Sequence, residues 1–112
     1  GSPPPHKIKM DIVKTKKIDL PKKGKTKYVF KVKMKNNGTR IFYFEKKRLY
    51  VELPGGKEYE CKFSHKPGYL IKPGKSKWVG SISVYLPKTS KKKHLVLQNQ
   101  YEGRTVTKTT FK

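Results

Sequence analysis

Apolar residues in this chain recur at every second position, and turn-forming residues cut the pattern into short lengths. In residues 81 to 86, SISVYL, one face takes Ile82, Val84 and Leu86 and the other takes Ser81, Ser83 and Tyr85. That is the period of a half-buried β-strand. Residues 28 to 35 repeat it, with Tyr28, Phe30, Val32 and Met34 alternating against Val29, Lys31, Lys33 and Lys35. Ile8, Met10 and Ile12 alternate against Lys7, Lys9 and Asp11. Further strand-like runs are TRIFYFE, RLYVELPGG, KEYECKFS, KKKHLVLQNQ and GRTVTKTTFK. Turn chemistry falls between them at Pro21 to Gly24, Asn37-Gly38, Pro54-Gly55-Gly56, Pro67-Gly68, Pro73-Gly74 and Pro87. Helical spacing is nowhere sustained beyond one turn around Glu45 to Arg48. Seven or eight short strands with this punctuation predict an all-β sandwich or barrel.

At 112 residues the chain has room for one such core. Gly1 and Ser2 read as a cloning scar and Pro3, Pro4 and Pro5 as the end of a stiff linker. Residues 1 to 6 are therefore expected to lie outside a single domain of residues 7 to 112, itself a piece of a longer protein. Cys61 is the one cysteine, which excludes an intrachain disulfide and a cysteine-rich metal site. No apolar run approaches the roughly 18 residues of a membrane span.

Charge is the second constraint. Lys and Arg number 29 against 7 Asp and Glu, a formal net charge of +22. A small soluble domain is comfortable at about 2 to 8, and self-repulsion at the higher value calls for screening by salt or by a polyanion. Only Arg40, Arg48 and Arg104 are arginine. Base-edge readers and carboxylate clamps favour the planar guanidinium, whereas lysine acts as a solvated point charge, so the excess points to diffuse, sequence-independent attraction. Lysine-rich codon usage in an AT-rich genome is the alternative source of the same excess.

The order of features is also familiar. KVKMKNNG closes one strand, TRIFYFEKKRLYVELPGGKEYEC follows, and LIKPGKSKWVGSISVYLP precedes a late apolar strand, HLVLQ. Over about residues 7 to 100 this resembles the small immunoglobulin-like domains of bacterial secreted proteins and lipoproteins, a family of unknown function. It is also similar to the mycobacterial immunoprotective extracellular antigen fold. The turn Gly55-Gly56-Lys57-Glu58-Tyr59 and the stretch from Leu70 to Pro87, with Lys72 inserted before Pro73, carry the likeness. The resemblance implies an immunoglobulin-like antiparallel β-sandwich of about seven to eight strands, at a bacterial cell surface or outside the cell; a cytoplasmic location is the alternative. Lys75 and Lys77 stand where the family commonly has glutamate or another polar residue, so the basic charge belongs to this chain.

Catalytic constellations are weak. Glu58 and Glu60 share a strand face about 7 Å apart, a spacing that serves acid–base pairs, but they sit between Lys57 and Lys62 and read as a surface ion-pair ladder. Cys61 and His65 would lie about 13 Å apart on an extended strand, too far for a nucleophile and its base. Cys61 alternates with Tyr59 and Phe63 and reads as a buried structural thiol. His6, His65 and His94 lack metal-ligand spacing. Gly55-Gly56-Lys57 lacks the following helix of a phosphate-binding loop. Asn37-Gly38-Thr39 fits a glycosylation acceptor but also a tight turn. No enzyme, metal or cofactor is expected.

Binding capacity is expected in the basic clusters. Lys22, Lys23, Lys25 and Lys27 surround one loop, and Lys31, Lys33 and Lys35 line one strand face. Lys46, Lys47 and Arg48 form a second cluster and Lys91, Lys92 and Lys93 a third. Lysines on a strand also guard edges against aggregation. Among the consecutive Phe42, Tyr43 and Phe44, alternation leaves one exposed, and Tyr43 is the stacking candidate. The expected partner is an anionic polymer: a cell-wall polymer such as teichoic acid, an acidic glycan, or extracellular DNA. The alternatives are a nucleic-acid-binding domain proper and a structural domain docking an acidic protein.

Overall fold

A computed structural model describes residues 7–65, 70–100 and 102–112. Gly1 to His6 and the Pro67-Gly68 turn lie outside the described residues. The described chain is all-β and antiparallel. Its strands are β1 (Ile8–Leu20), β2 (Lys25–Asn36), β3 (Phe42–Tyr43), β4 (Lys47–Glu52), β5 (Glu58–Glu60), β6 (Lys62–Phe63), β7 (Leu70–Ile71), β8 (Ser76–Pro87), β9 (Lys93–Asn99) and β10 (Thr105–Phe111). One sheet runs β1-β2-β8-β6, a second β10-β9-β4-β5, and β3 pairs with β7 as a third.

The expected strand count and the two-sheet layout are both revised, for local reasons. KEYECKFS is two strands, because the chain changes sheets at Cys61: β5 pairs with β4, while β6 pairs with β8. TRIFYFE keeps only two strand residues. Phe42 and Phe44 both turn inward there, and the short β3–β7 ladder matches Phe42 with Ile71 and Tyr43 with Leu70. The expected turn of helix before Arg48 is a tight turn with Lys46 at φ +61°. A single 3-10 turn, Pro21–Lys23, instead joins β1 to β2, ended by Gly24 in the left-handed region that glycine enters without steric cost.

The two large sheets bury the faces that alternation assigns inward. Phe30, Val32 and Met34 of β2 and Ile82, Val84 and Leu86 of β8 meet Leu49 and Val51 of β4 and Leu95 and Leu97 of β9. Phe111 at the end of β10 reaches across to the first sheet, its ring edge-on to Phe30 at 5.0 Å and to Tyr28 at 5.7 Å. Asn36 is a fully buried polar hub. Its Nδ2 donates to the carbonyls of Arg40 and Ile71, both at 2.8 Å, and its Oδ1 accepts from the Gly38 amide at 2.9 Å. The side chain thus ties the end of β2 to the loop beyond it and to β7.

Two bulges change which residues face out. Between β2 and β8 the register steps from Phe30↔Ile82 to Val32↔Val79, so Lys31 stands opposite two residues, Gly80 and Ser81. Between β1 and β2 it steps from Ile12↔Val32 to Lys14↔Lys31, leaving Val13 as the extra residue. A bulge inserts one residue and reverses the side-chain parity beyond it. Unbroken alternation from Ile82 back to Trp78 would send the indole inward; the bulge buries Val79 and turns Trp78 out.

Candidate functional site

Residues directly opposite across an antiparallel pair lie on the same face, so the registers assemble the outer face of the β1-β2-β8-β6 sheet residue by residue. From β2 come Lys25, Lys27, Lys31, Lys33 and Lys35. Opposite Lys35, Lys31 and Val29 of β2, the strand β1 adds Lys9, Lys14 and Lys16. Lys62 of β6 joins through Ser83. Against these nine lysines the face carries one carboxylate, Asp11, 4.0 Å from Lys9 Nζ. The lysine row of β2 repeats every second residue, about 7 Å, with one gap at Val29.

Two large aromatic side chains stand among the lysines. Trp78 lies opposite Lys33 and is 63% exposed, with Lys33 Nζ 5.9 Å from its ring centre. Tyr85 lies opposite Lys27 and is 42% exposed, with Lys27 Nζ 5.6 Å away. Beside Trp78 a shallow depression of ≈ 380 Å³ opens over the bulge, lined by Lys31, Ser64, His65, Val79, Gly80 and Ser81. A Cβ at Gly80 would meet Lys31 Cγ at 3.2 Å, a contact relieved only if the lysine side chain shifts by a few tenths of an ångström.

The opposite surface, the outer face of the β10-β9-β4-β5 sheet, differs in charge. Glu52, Glu58 and Glu60 lie there with Arg48 and Lys108. The guanidinium of Arg48 donates to Glu58 Oε1 at 3.0 Å, to Glu60 Oε1, and to Gln98 Oε1 at 2.8 Å. It also stacks on Tyr50 at 4.1 Å. Partial burial works against its charge, but its hydrogen bonds to Glu60 and Glu58, together with the attraction of their charges, outweigh that and raise its pKa above the ordinary value. Burial, with help from Glu58, likewise raises the Tyr50 phenol.

These placements sort the expected clusters. Lys25, Lys27, Lys31, Lys33 and Lys35 share one face, and the 3-10 turn carries Lys22 and Lys23 at its end. Lys46 lies in the turn before β4. Lys47 lies half-buried over the Phe42 ring at 5.4 Å, away from the lysine face. Arg48 is not a free cation: it is committed to the Glu58–Glu60 ladder, where Lys57 and Lys62 were the expected partners. Lys91 and Lys92 are exposed in the loop before β9.

Lys93 is inside the protein, 1% exposed, contrary to its expected place in a surface cluster. Its ammonium donates to the carbonyls of Thr89 at 3.2 Å and Lys91 at 3.0 Å, and lies 5.5 Å from the ring centre of Tyr28 and 5.9 Å from that of Phe111. Desolvation lowers its pKa. Parity explains the placement, since Lys93 is level with inward-facing Phe111 across the β9–β10 ladder.

Tyr43 is the exposed member of its aromatic triplet, at 56%, but on the small β3–β7 sheet. Lys9, Lys14, Lys16, Lys62, Trp78 and Tyr85 complete the basic face without having been singled out. Cys61 packs against the core, and burial with the nearby Glu60 charge pushes its thiol up to about 12, so it is a thiol at neutral pH. Among the described residues no three His, Cys, Asp or Glu side chains gather as a metal cluster, and no helix is long and apolar enough to cross a membrane. No protein-family model, curated protein or solved structure matches the chain.

Proposed function

We propose that this is a non-enzymatic binding domain that attracts anionic polymers onto the outer face of the β1-β2-β8-β6 sheet. One observation carries the reading: among the described residues nine lysines share that face with a single carboxylate, while Glu52, Glu58 and Glu60 lie on the opposite one. Lysines in rows about 7 Å apart are closer together than the Debye length of about 8 Å at physiological salt, so their fields overlap along the sheet. The attraction is long-ranged and undemanding in geometry, as lysine's compact, hydrated charge dictates. At the bacterial surface that the family resemblance implies, teichoic-acid-like polymers, acidic glycans and extracellular DNA are the polyanions within reach.

The test is binding to duplex DNA and to polyphosphate, each titrated at several salt concentrations. The reading expects both to bind at low salt and both affinities to fall steeply as salt rises. Failure to bind either polymer at low salt refutes it.

A further inference from the structure

Trp78 and Tyr85 are large, partly apolar side chains held out on a face that electrostatic attraction alone does not need. We propose that they are stacking positions, and that the ligand of this face is a single-stranded nucleic acid laid along β2 and β8. The proposal rests on the polyanion reading of the same face and narrows it to a polymer in which anionic groups alternate with planar rings.

Three features select that class. First, each aromatic ring is paired with a lysine directly across the ladder, Trp78 with Lys33 and Tyr85 with Lys27, so every ring has a cation beside it for a neighbouring phosphate. Measured along β2, the two ring positions are six residues apart, about 20 Å, a span for several nucleotides. Second, the Trp78 indole borders the ≈ 380 Å³ depression, which Lys33 does not line. The ring thus has an ammonium 5.9 Å from its centre and open space at its border. Third, the described residues of the face include no arginine, so neither carboxylate nor phosphate is held there in two-pronged geometry, which suits a flexible strand tracked by lysine point charges and fixed by its rings. A duplex fits poorly, because its bases are already stacked and the outer face of the sheet presents no helix to enter a groove. Aromatic platforms beside a basic track are the general means of binding single strands without reading sequence.

Trp78 is the only tryptophan, so its intrinsic fluorescence reports on the site without a label. The whole protein is titrated at low salt with a thymine homopolymer, an abasic strand of equal length, polyphosphate and a polyuronate. The expected result is that the thymine strand quenches the indole and binds more tightly than the abasic strand, which leaves the emission unchanged. Trp78→Ala, followed by anisotropy of labelled strands, is expected to weaken thymine-strand binding by about 5- to 150-fold and to leave abasic-strand binding as it was. Trp78→Phe keeps part of the difference, and Tyr85→Ala loses a separate part.

Equal affinity for thymine and abasic strands, with no quenching, overturns the stacking proposal while leaving the polyanion reading standing. Tighter binding and stronger quenching by the polyuronate overturns the choice of nucleic acid. Absence of binding to all four polymers overturns both readings.

Discussion

The lysine row of β2 allows a quantitative test of where the binding occurs. Lys31, Lys33 and Lys35 are exposed, lie on one face and follow one another at about 7 Å, so a single strand laid along β2 contacts all three. Each phosphate neutralised on a single strand contributes about −0.7 to the slope of log affinity against log salt. Replacing the three lysines by glutamine is therefore expected to make the slope shallower by about 2. Carried from a 1 M reference to 0.15 M salt, that loss corresponds to about 50-fold weaker binding.

An abasic strand is the right probe, because Lys33 also borders Trp78 and a base would mix stacking into the result. The assay is anisotropy of the labelled strand between 50 and 300 mM salt. The control removes the same charge elsewhere, by Lys57→Gln, Lys92→Gln and Lys108→Gln together. If the control flattens the slope as much as the β2 variant does, attraction comes from net charge, and the argument from one face fails. Loss of fold does not confuse the comparison, since the three β2 side chains are solvated and circular dichroism checks each variant.

Other consequences concern stability. Arg48→Gln leaves Glu58 and Glu60 without their cation and uncovers Tyr50; chemical denaturation is expected to show a loss of about 1–2 kcal/mol, with the salt slope of polyanion binding unchanged. Asn36→Ala removes three hydrogen bonds at a fully buried site and strands two carbonyls and an amide; the same assay should report at least about 3 kcal/mol. Cys61, its folded pKa raised from 9.0 to about 12, contributes stability that is fully present below pH 9 and lost as pH rises through the folded value. The loss reaches about 3 kcal/mol by pH 11. Denaturation curves from pH 8 to 11 should show that decline in the wild type and a flatter one in Cys61→Ala, whereas parallel declines would assign it to other groups.

Much of the fold is legible in alternation because it depends on one side chain at a time. Ile82, Val84 and Leu86 are buried as their spacing requires, and so are Tyr28, Phe30, Val32 and Met34. The site is harder to read because a face is made by register, which sequence spacing within one strand does not contain. Lys9 and Lys14 look like ordinary solvated lysines until pairing places them opposite Lys35 and Lys31. Trp78 is the sharpest case: parity counted from Ile82 puts it inside, and only the extra residue at Gly80–Ser81 turns it out. The one local signal of that irregularity was a glycine within an alternating strand. Arg48 and Lys93 stand apart from the basic face for the reverse reason. Each stands in a basic triplet, yet the partners that absorb it, Glu58 and Glu60 for one and the Thr89 and Lys91 carbonyls for the other, are fixed by chain folding.

The segregation of charge has a thermodynamic consequence for the fold itself. Lys9 faces Lys35 and Lys14 faces Lys31 directly across the β1–β2 ladder, pairs that are each unfavourable by a few tenths of a kcal/mol or more. Asp11, 4.0 Å from Lys9 Nζ, offsets part of the first pair, but the other carboxylates are elsewhere: Glu58 and Glu60 hold Arg48, and Asp19 accepts a hydrogen bond from Thr26 at 3.1 Å. Physiological salt, with its Debye length of about 8 Å, only partly screens charges about 7 Å apart. The free basic face thus carries a repulsion that a bound polyanion converts into attraction. By linkage, a ligand at 100 times its Kd adds about 2.7 kcal/mol to the folded state. The opposite face offers no comparable gain, because its guanidinium is already neutralised by two carboxylates. On the polyanion reading, binding and folding are therefore coupled on one side of the molecule, the side where lysines and exposed aromatic rings coincide.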